Sequence, residues 1–146
     1  MNVITNLGEK RRKKQWKFER NMLRSLSIEE MRKDVNEQFF DQLIGAETVS
    51  KLYLVDFCLD IGIDAYLLGS EYGRFGYYGE TAEQVQTRCK DELDTFITQT
   101  ASQFTAWFTL TEKEKDIQYE RSKAFINRWW NKGFTEGERR YRLRLH

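Results

Sequence analysis

Proline is absent from this 146-residue sequence, histidine occurs once, and cysteine occurs twice. Without proline, no ring clashes with a preceding helical turn or withholds an N–H, so nothing of that kind stops a helix once it has begun. The one histidine is His146, at the final position, where a fraying chain end cannot hold a general base in place. Cys58 and Cys89 lie far apart, with no Cys-x-x-Cys pair and no histidine nearby, which argues against a disulfide framework or a zinc site. Both are expected as small buried hydrophobes. A long uninterrupted apolar run is missing as well. The most apolar stretch, Leu52 to Leu68, carries Asp56, Asp60 and Asp64, and burying three carboxylates in a bilayer would cost several kcal/mol, so it reads as a core helix and not a membrane span. The opening MNVITNLGEKRRKKQWKFER follows its positive charges with more polar sequence and does not read as a signal peptide.

What is present is helical patterning. Three Ser/Thr-x-x-Glu/Gln capping boxes mark helix starts: Ser27 with Glu30, Thr81 with Gln84, and Thr111 with Glu114. After the first, Ile28, Met31, Val35, Phe39 and Leu43 recur at three- and four-residue spacing until Gly45. After the second, an apolar stripe from Ala82 and Val85 through Cys89, Leu93 and Phe96 to Phe104 and Phe108 keeps the helical period throughout. The spacing predicts an all-α, single-domain bundle of about five helices, at approximately 8–25, 28–44, 48–72, 81–109 and 112–141. The 48–72 segment, apolar on nearly all sides, is expected at the centre. Between helices, GRFGYYGE (residues 73–80) reads as an ordered turn whose aromatics pack back onto the core. Gly69-x-x-x-Gly73 and Gly133-x-x-x-Gly137 are alike, and each would open one helical face to close approach, most simply as a packing groove inside the fold. The closing RRYRLRLH alternates arginines with Tyr141, Leu143 and Leu145 at the period of a strand, so the chain could leave the helix there.

Charge is distributed unevenly beneath a net value of +1. Residues 1–20 hold seven Lys or Arg against two Glu, residues 128–146 hold six against two, and the stretch between is strongly acidic. If the termini lie side by side, Lys10, Arg11, Arg12, Lys13, Lys14, Arg139, Arg140, Arg142 and Arg144 form one positive patch. Trp16, Phe18 and Tyr141 are interleaved with it. Such a patch suits an acidic protein surface, or alternatively nucleic acid, whose phosphates it would hold and whose bases it would stack. A third arrangement is ion pairing of the basic ends with the chain's own acidic middle. Asp56, Asp60 and Asp64 share one helical stripe, and are expected to be solvated or ion-paired, because the Glu-x-x-His pattern of di-metal bundles is absent.

No G-x-S-x-G elbow, Walker loop, dinucleotide fingerprint or His-Glu-x-x-His pattern is present, so no cofactor, metal or catalytic residue is assigned and the chain is expected not to be an enzyme. A carboxylate-dependent enzyme built on Asp56, Asp60, Asp64 and Glu80 is the remaining catalytic reading. Successive helical residues are turned by about 100°. Adjacent Trp129 and Trp130 should therefore not share one face, and Trp130 is expected at the core's edge as an interaction residue.

AYLLGSEYGRFGYYGE (residues 65–80), WWNKGFTEGERRYRLRLH (residues 129–146) and EKRRKKQWKFER (residues 9–20) together resemble the YbaK family of small Bacillus proteins of unknown function, over the full length of the chain. An unrelated tRNA-editing domain carries the same label; its alternating α/β pattern is not seen here, so editing activity does not follow. The resemblance supplies no catalytic residues and implies a cytoplasmic protein of a spore-forming bacterium. The function expected is that of a non-enzymatic helical interaction or regulatory module.

Overall fold

The computed structural model describes residues 3–40 and 48–143, with side chains for 7–40 and 50–143. Every regular element among them is helical. In order they are α1 (Val3–Arg24), α2 (Ile28–Val35), a π-helical turn (Asn36–Phe40), α3 (Thr48–Glu71), α4 (Gly73–Tyr77), α5 (Ala82–Arg88), α6 (Lys90–Trp107) and α7 (Glu112–Arg142). The all-α expectation holds, with seven α-helices among the described residues instead of about five. The start of the first helix moves from residue 8 to Val3.

The three hydroxyl caps open helices where the sequence placed them. Ser27 and Thr111 accept from the backbone N–H groups of Glu30 and Glu114, each at 3.2 Å. Thr81 forms the full reciprocal box, accepting from the N–H of Gln84 while the Gln84 side chain accepts from the N–H of Thr81 at 2.9 Å. The second expected helix, 28–44, changes winding at Asn36, and its last part, with Leu43, and the Gly45 that follows lie outside the described residues. The wider π turn lets neighbouring Phe39 and Phe40 both point inward. Phe39 stacks on Phe104 with centroids 4.8 Å apart and meets Phe125 edge-on at 5.5 Å.

The expected single helix 81–109 is two. Arg88 is held back to Glu80 by two bonds of 3.0 and 2.9 Å and lies over the Phe75 ring at 4.3 Å, fixing α5 to the turn before it. Leu93, Ile97, Thr100 and Phe104 fix α6 to the core. These anchors pull on different axes and the backbone yields at Cys89, with φ −115° and ψ 28°. The GRFGYYGE segment contains the short helix α4 and closes through Gly79, whose φ of 103° only glycine adopts without strain. Phe75 packs against the core as expected, but Tyr77 and Tyr78 stay exposed. At the other end, the described part of RRYRLRLH stays helical, α7 running through to Arg142 and completing about 47 Å of helix; residues 144–146 lie outside the described residues.

Helix α3 lies at the centre, in contact with α1, α2, α4, α6 and α7, and α7 is its main partner. The two Gly-x-x-x-Gly motifs meet along α7, Gly69 from α3 and Gly73 from the start of α4. A Cβ added at Gly69 would land on the carbonyl oxygen of Trp130, one at Gly133 on that of Tyr66, one at Gly137 on that of Ser70, and one at Gly73 on the N–H of Glu138. The backbones therefore touch, and the packing-groove reading of both motifs is the one realised. Because α7 is enclosed from several directions, Trp129 and Trp130 are both buried, at 2% and 0% exposure. The expectation of an exposed Trp130 fails for this reason: the 100° turn carries it from one packed neighbour to the next. Trp130 stacks on Phe134, with centroids 5.1 Å apart.

A polar clamp fixes α2 to the same helix. Asp34 accepts from the Trp129 indole at 2.8 Å and from the Arg128 guanidinium, and Lys132 reaches over the Trp129 ring toward Glu30.

Placing a methyl group at Gly69 or Gly133 forces backbone against backbone, so Gly69→Ala and Gly133→Ala should each cost about 3 kcal/mol or more. Gly8 is helical with nothing near its missing Cβ, and Gly8→Ala should stabilise by about 0.5–1 kcal/mol. Urea unfolding midpoints measure all three; a Gly133→Ala protein that unfolds with the wild type would disprove the close contact.

Candidate interaction site

The two basic ends have different fates. On α1, every residue from Glu9 to Lys17 is exposed. Gln15 bonds to Glu71 on the body, and the stretch before it, Glu9 to Lys14, exposed around its whole circumference, forms an arm that leaves the body. Among the described residues, Lys10, Arg11, Arg12, Lys13 and Lys14 enter no ion pair. Trp16 is 62% exposed, with the Arg20 guanidinium 4.5 Å above its ring. The exposed tryptophan of the site is thus Trp16, and Trp130 belongs to the core.

On α7 the arginines are internally satisfied. Arg139 donates to Glu136 at 3.1 and 2.6 Å, and Arg142 to Glu138 at 2.9 Å. Arg140 lies 3.4 Å from the Glu136 carboxylate, and also donates to the Asn21 carbonyl at 3.3 Å and the Ser25 hydroxyl at 2.8 Å. Only 16% of its side chain is exposed. Hydrogen bonding from Arg139 holds the Glu136 carboxyl below its ordinary range, against the opposing effect of burial. The glutamates that pair with Arg139, Arg140 and Arg142 are one turn away on the same helix, whereas Arg128 and Lys132 of the same basic end pair with Asp34 and Glu30 in the acidic middle of the chain. Arg144 lies outside the described residues.

The termini do meet, but through Arg140 and the last turn of α1. Lys14 is already about 10 Å along the helix from Asn21, so the cations of the arm do not merge with Arg139, Arg140 and Arg142 into one patch. Between the arm's root and the end of α7 runs a groove of about 570 Å³, walled by Gln15, Phe18, Tyr72, Arg74, Phe75 and Tyr141 among others. Gln15 crosses it to donate to Glu71 at 2.8 Å. Tyr141 closes one end with Tyr78, the hydroxyls 2.7 Å apart. Sequence reasoning marked Phe18 and Tyr141 but not Gln15 or Glu71, whose bond spans 56 residues and leaves no local signal.

Asp56, Asp60 and Asp64 are exposed on α3, the solvated alternative among those the sequence allowed. Partial burial raises the Asp64 carboxyl, and the like charges of Asp60 and Glu19 raise it further. Among the described residues no group of three or more His, Cys, Asp or Glu is placed to hold a metal. Both cysteines are buried as expected. Burial pushes the Cys58 thiol up to about 12 and Cys89 to about 11, the latter moderated by the Trp130 indole. No helix among the described residues is long and apolar enough to cross a membrane.

Residues 1–146, the whole chain, match the family described as "Protein of unknown function (DUF2521)". The chain belongs to that family. A curated relative, "Uncharacterized protein YbaK" of Bacillus subtilis (strain 168), is 29% identical over 159 aligned positions covering 99% of each chain, so the resemblance drawn from the terminal and turn motifs is correct. No solved structure matches the chain. The family brings no residue role with it, and the site rests on its geometry.

Two carboxylates should respond to pH in opposite directions. Glu136, depressed in the fold, contributes stability above its unfolded pKa and loses it as pH falls through its folded value. Glu136→Gln should cost about 1 kcal/mol at neutral pH, with the deficit vanishing in acid. Asp64, raised in the fold, carries a penalty that is full above its folded pKa and relieved as pH falls. Asp64→Asn should be slightly more stable than wild type at neutral pH and equal to it in acid. Denaturant titrations at two pH values test both signs.

Proposed function

We propose that the chain is a helical interaction module of the bacterial cytoplasm, non-enzymatic, whose basic arm on α1 docks on an acidic protein surface. The observation that carries this is the uncompensated cationic arm, exposed on all sides and bearing Trp16 at its root. Burying an aromatic within a ring of charge-matched contacts is how compact interfaces gain affinity. The cytoplasmic part of the reading rests on two unpaired cysteines and the bacterial relative.

The alternative partner, nucleic acid, draws on the same cations. Against it stand the pairing of Arg139, Arg140 and Arg142 with glutamates, which removes the C-terminal half of the expected patch, and the carboxylates Asp60, Asp64 and Glu19 just behind the arm. A long polyanion lying along the arm would run into that acidic flank, whereas a short acidic protein segment need not.

Fluorescence anisotropy of a labelled oligo-glutamate peptide and of a labelled oligouridine RNA tests the choice. The peptide should bind at low salt and lose at least about tenfold in affinity, ~1.4 kcal/mol, when Lys10, Arg11, Arg12, Lys13 and Lys14 are all changed to Gln. RNA binding that persists at physiological salt with a steep salt slope would transfer the arm to nucleic acid. Peptide affinity unchanged in the five-fold variant would end the proposal.

A further inference from the structure

The arm needs a partner whose negative charges repeat with the arm's own period, and such a surface exists on this chain. Along the outward face of α3, Tyr53, Asp56, Asp60 and Asp64 follow one another at three- and four-residue steps, which sets them in one stripe, and half-buried Phe57 flanks it. Asp56, Asp60 and Asp64 are exposed and, among the described residues, none is ion-paired. Beside the stripe, between Phe57 on α3 and Asp94, Thr95, Thr98, Gln99 and Ser102 on α6, lies an open trough of about 560 Å³. One turn further on, the exposed rings of Tyr53 and Trp107 stand 5.1 Å apart and extend the trough with apolar surface. An acidic ridge flanked by a trough with aromatic walls is the complement of a basic helix carrying a tryptophan.

The arm cannot reach its own ridge. Helix α1 runs antiparallel to α3, with Gln15 beside Glu71 and Glu19 near Asp64, so Lys10 to Lys14 lie past the end of α3. Asp56 is fifteen residues back from Glu71, or about 22 Å. The arm is one continuous helix with the segment that packs through Phe18 and Met22, and contains no proline at which to fold. The match must therefore be made between molecules. Lys10 and Lys14, and likewise Lys13 and Lys17, are one turn apart, a rise of about 6 Å, which is the step from Asp56 to Asp60 to Asp64. Trp16 sits among them and can enter the trough.

We propose that the acidic partner of the arm is a second copy of this chain: Lys10, Lys13, Lys14 and Lys17 of one protomer lie along Asp56, Asp60 and Asp64 of the other, and Trp16 occupies the trough beside Phe57. This rests on the reading that the arm binds an acidic protein surface, and names that surface. Two such contacts are reciprocal and close under a two-fold axis. Each need bury only about 600 Å² for the pair to reach the ~1,200 Å² of the smallest specific interfaces. The crowding of Asp64 by Asp60 and Glu19 is relieved when lysines arrive.

Sedimentation of the full chain over a range of concentration and salt tests the proposal, with two charge-reversed variants. One carries Lys10→Glu, Lys13→Glu, Lys14→Glu and Lys17→Glu; the other carries Asp56→Lys, Asp60→Lys and Asp64→Lys. All these positions are exposed, and circular dichroism verifies that both variants fold. Wild type should dimerise at low salt and dissociate as salt rises. Each variant alone should be monomeric, because like charges then face each other. Mixed, they should form a heterodimer within about tenfold of wild-type affinity, since both contacts are restored with reversed sign. A wild type that stays monomeric at low salt, or a dimer that the mixture fails to rebuild, overturns the proposal. A monomer that still binds oligo-glutamate through the arm leaves the first reading intact with a different protein as partner; loss of both removes the two together.

Discussion

Gly69, Gly133 and Gly137 let the backbones of α3 and α7 come into contact, Gly73 does the same for α4 and α7, and the rest of the molecule is arranged around that line. Where helices approach this closely, dispersion acts between main chains as well as side chains, and small shifts are resisted because no side chain is present to readjust. Helix α7 can then bury both indoles of its Trp129–Trp130 pair, one toward the clamp on α2 and the other against Phe134 and Cys89. The second layer, Phe39, Phe104 and Phe125, fills the space between α2, α6 and α7. The third, Arg140 with Asn21 and Ser25, fastens the end of α1 to this frame.

That fastening explains why the arm can project. Met22 and Leu26 are buried and Phe18 is partly so, and the helix upstream of them continues on hydrogen bonding alone. A body with opposite charges at separate places and a rigid spacer between them cannot neutralise itself. The net charge of +1 conceals a molecule that is strongly dipolar.

Much of this was legible in the residues. Hydroxyl caps at Ser27, Thr81 and Thr111 are local signals, carried by atoms three residues apart, and they placed helix starts correctly. The all-round apolar character of α3 identified the central helix, and the paired Gly-x-x-x-Gly motifs identified packing grooves, although only the coordinates show that they face each other. The failures arose where tertiary contacts overrule local pattern. Cys89 continues the apolar stripe perfectly, yet the Arg88–Glu80 pair draws α5 off the axis of α6. Asn36–Phe40 has ordinary helical composition, and its wider winding follows from two adjacent phenylalanines entering one core. Trp130 was misplaced because a single helix has one buried face only when it has one neighbour. The C-terminal arginines were counted as free charge, whereas Glu136 and Glu138, three and four residues back, were already in position to neutralise them.

The sorting of the tryptophans has an optical consequence. Trp129 and Trp130 are buried away from water and should emit at shorter wavelength than Trp16, which stands in water beneath a guanidinium. A shift confined to the red edge of the intrinsic emission spectrum would come from the outer indoles, Trp16 and the partly exposed Trp107, leaving the core pair as an internal standard. The chain thus carries its own label at the place where a neighbour would arrive.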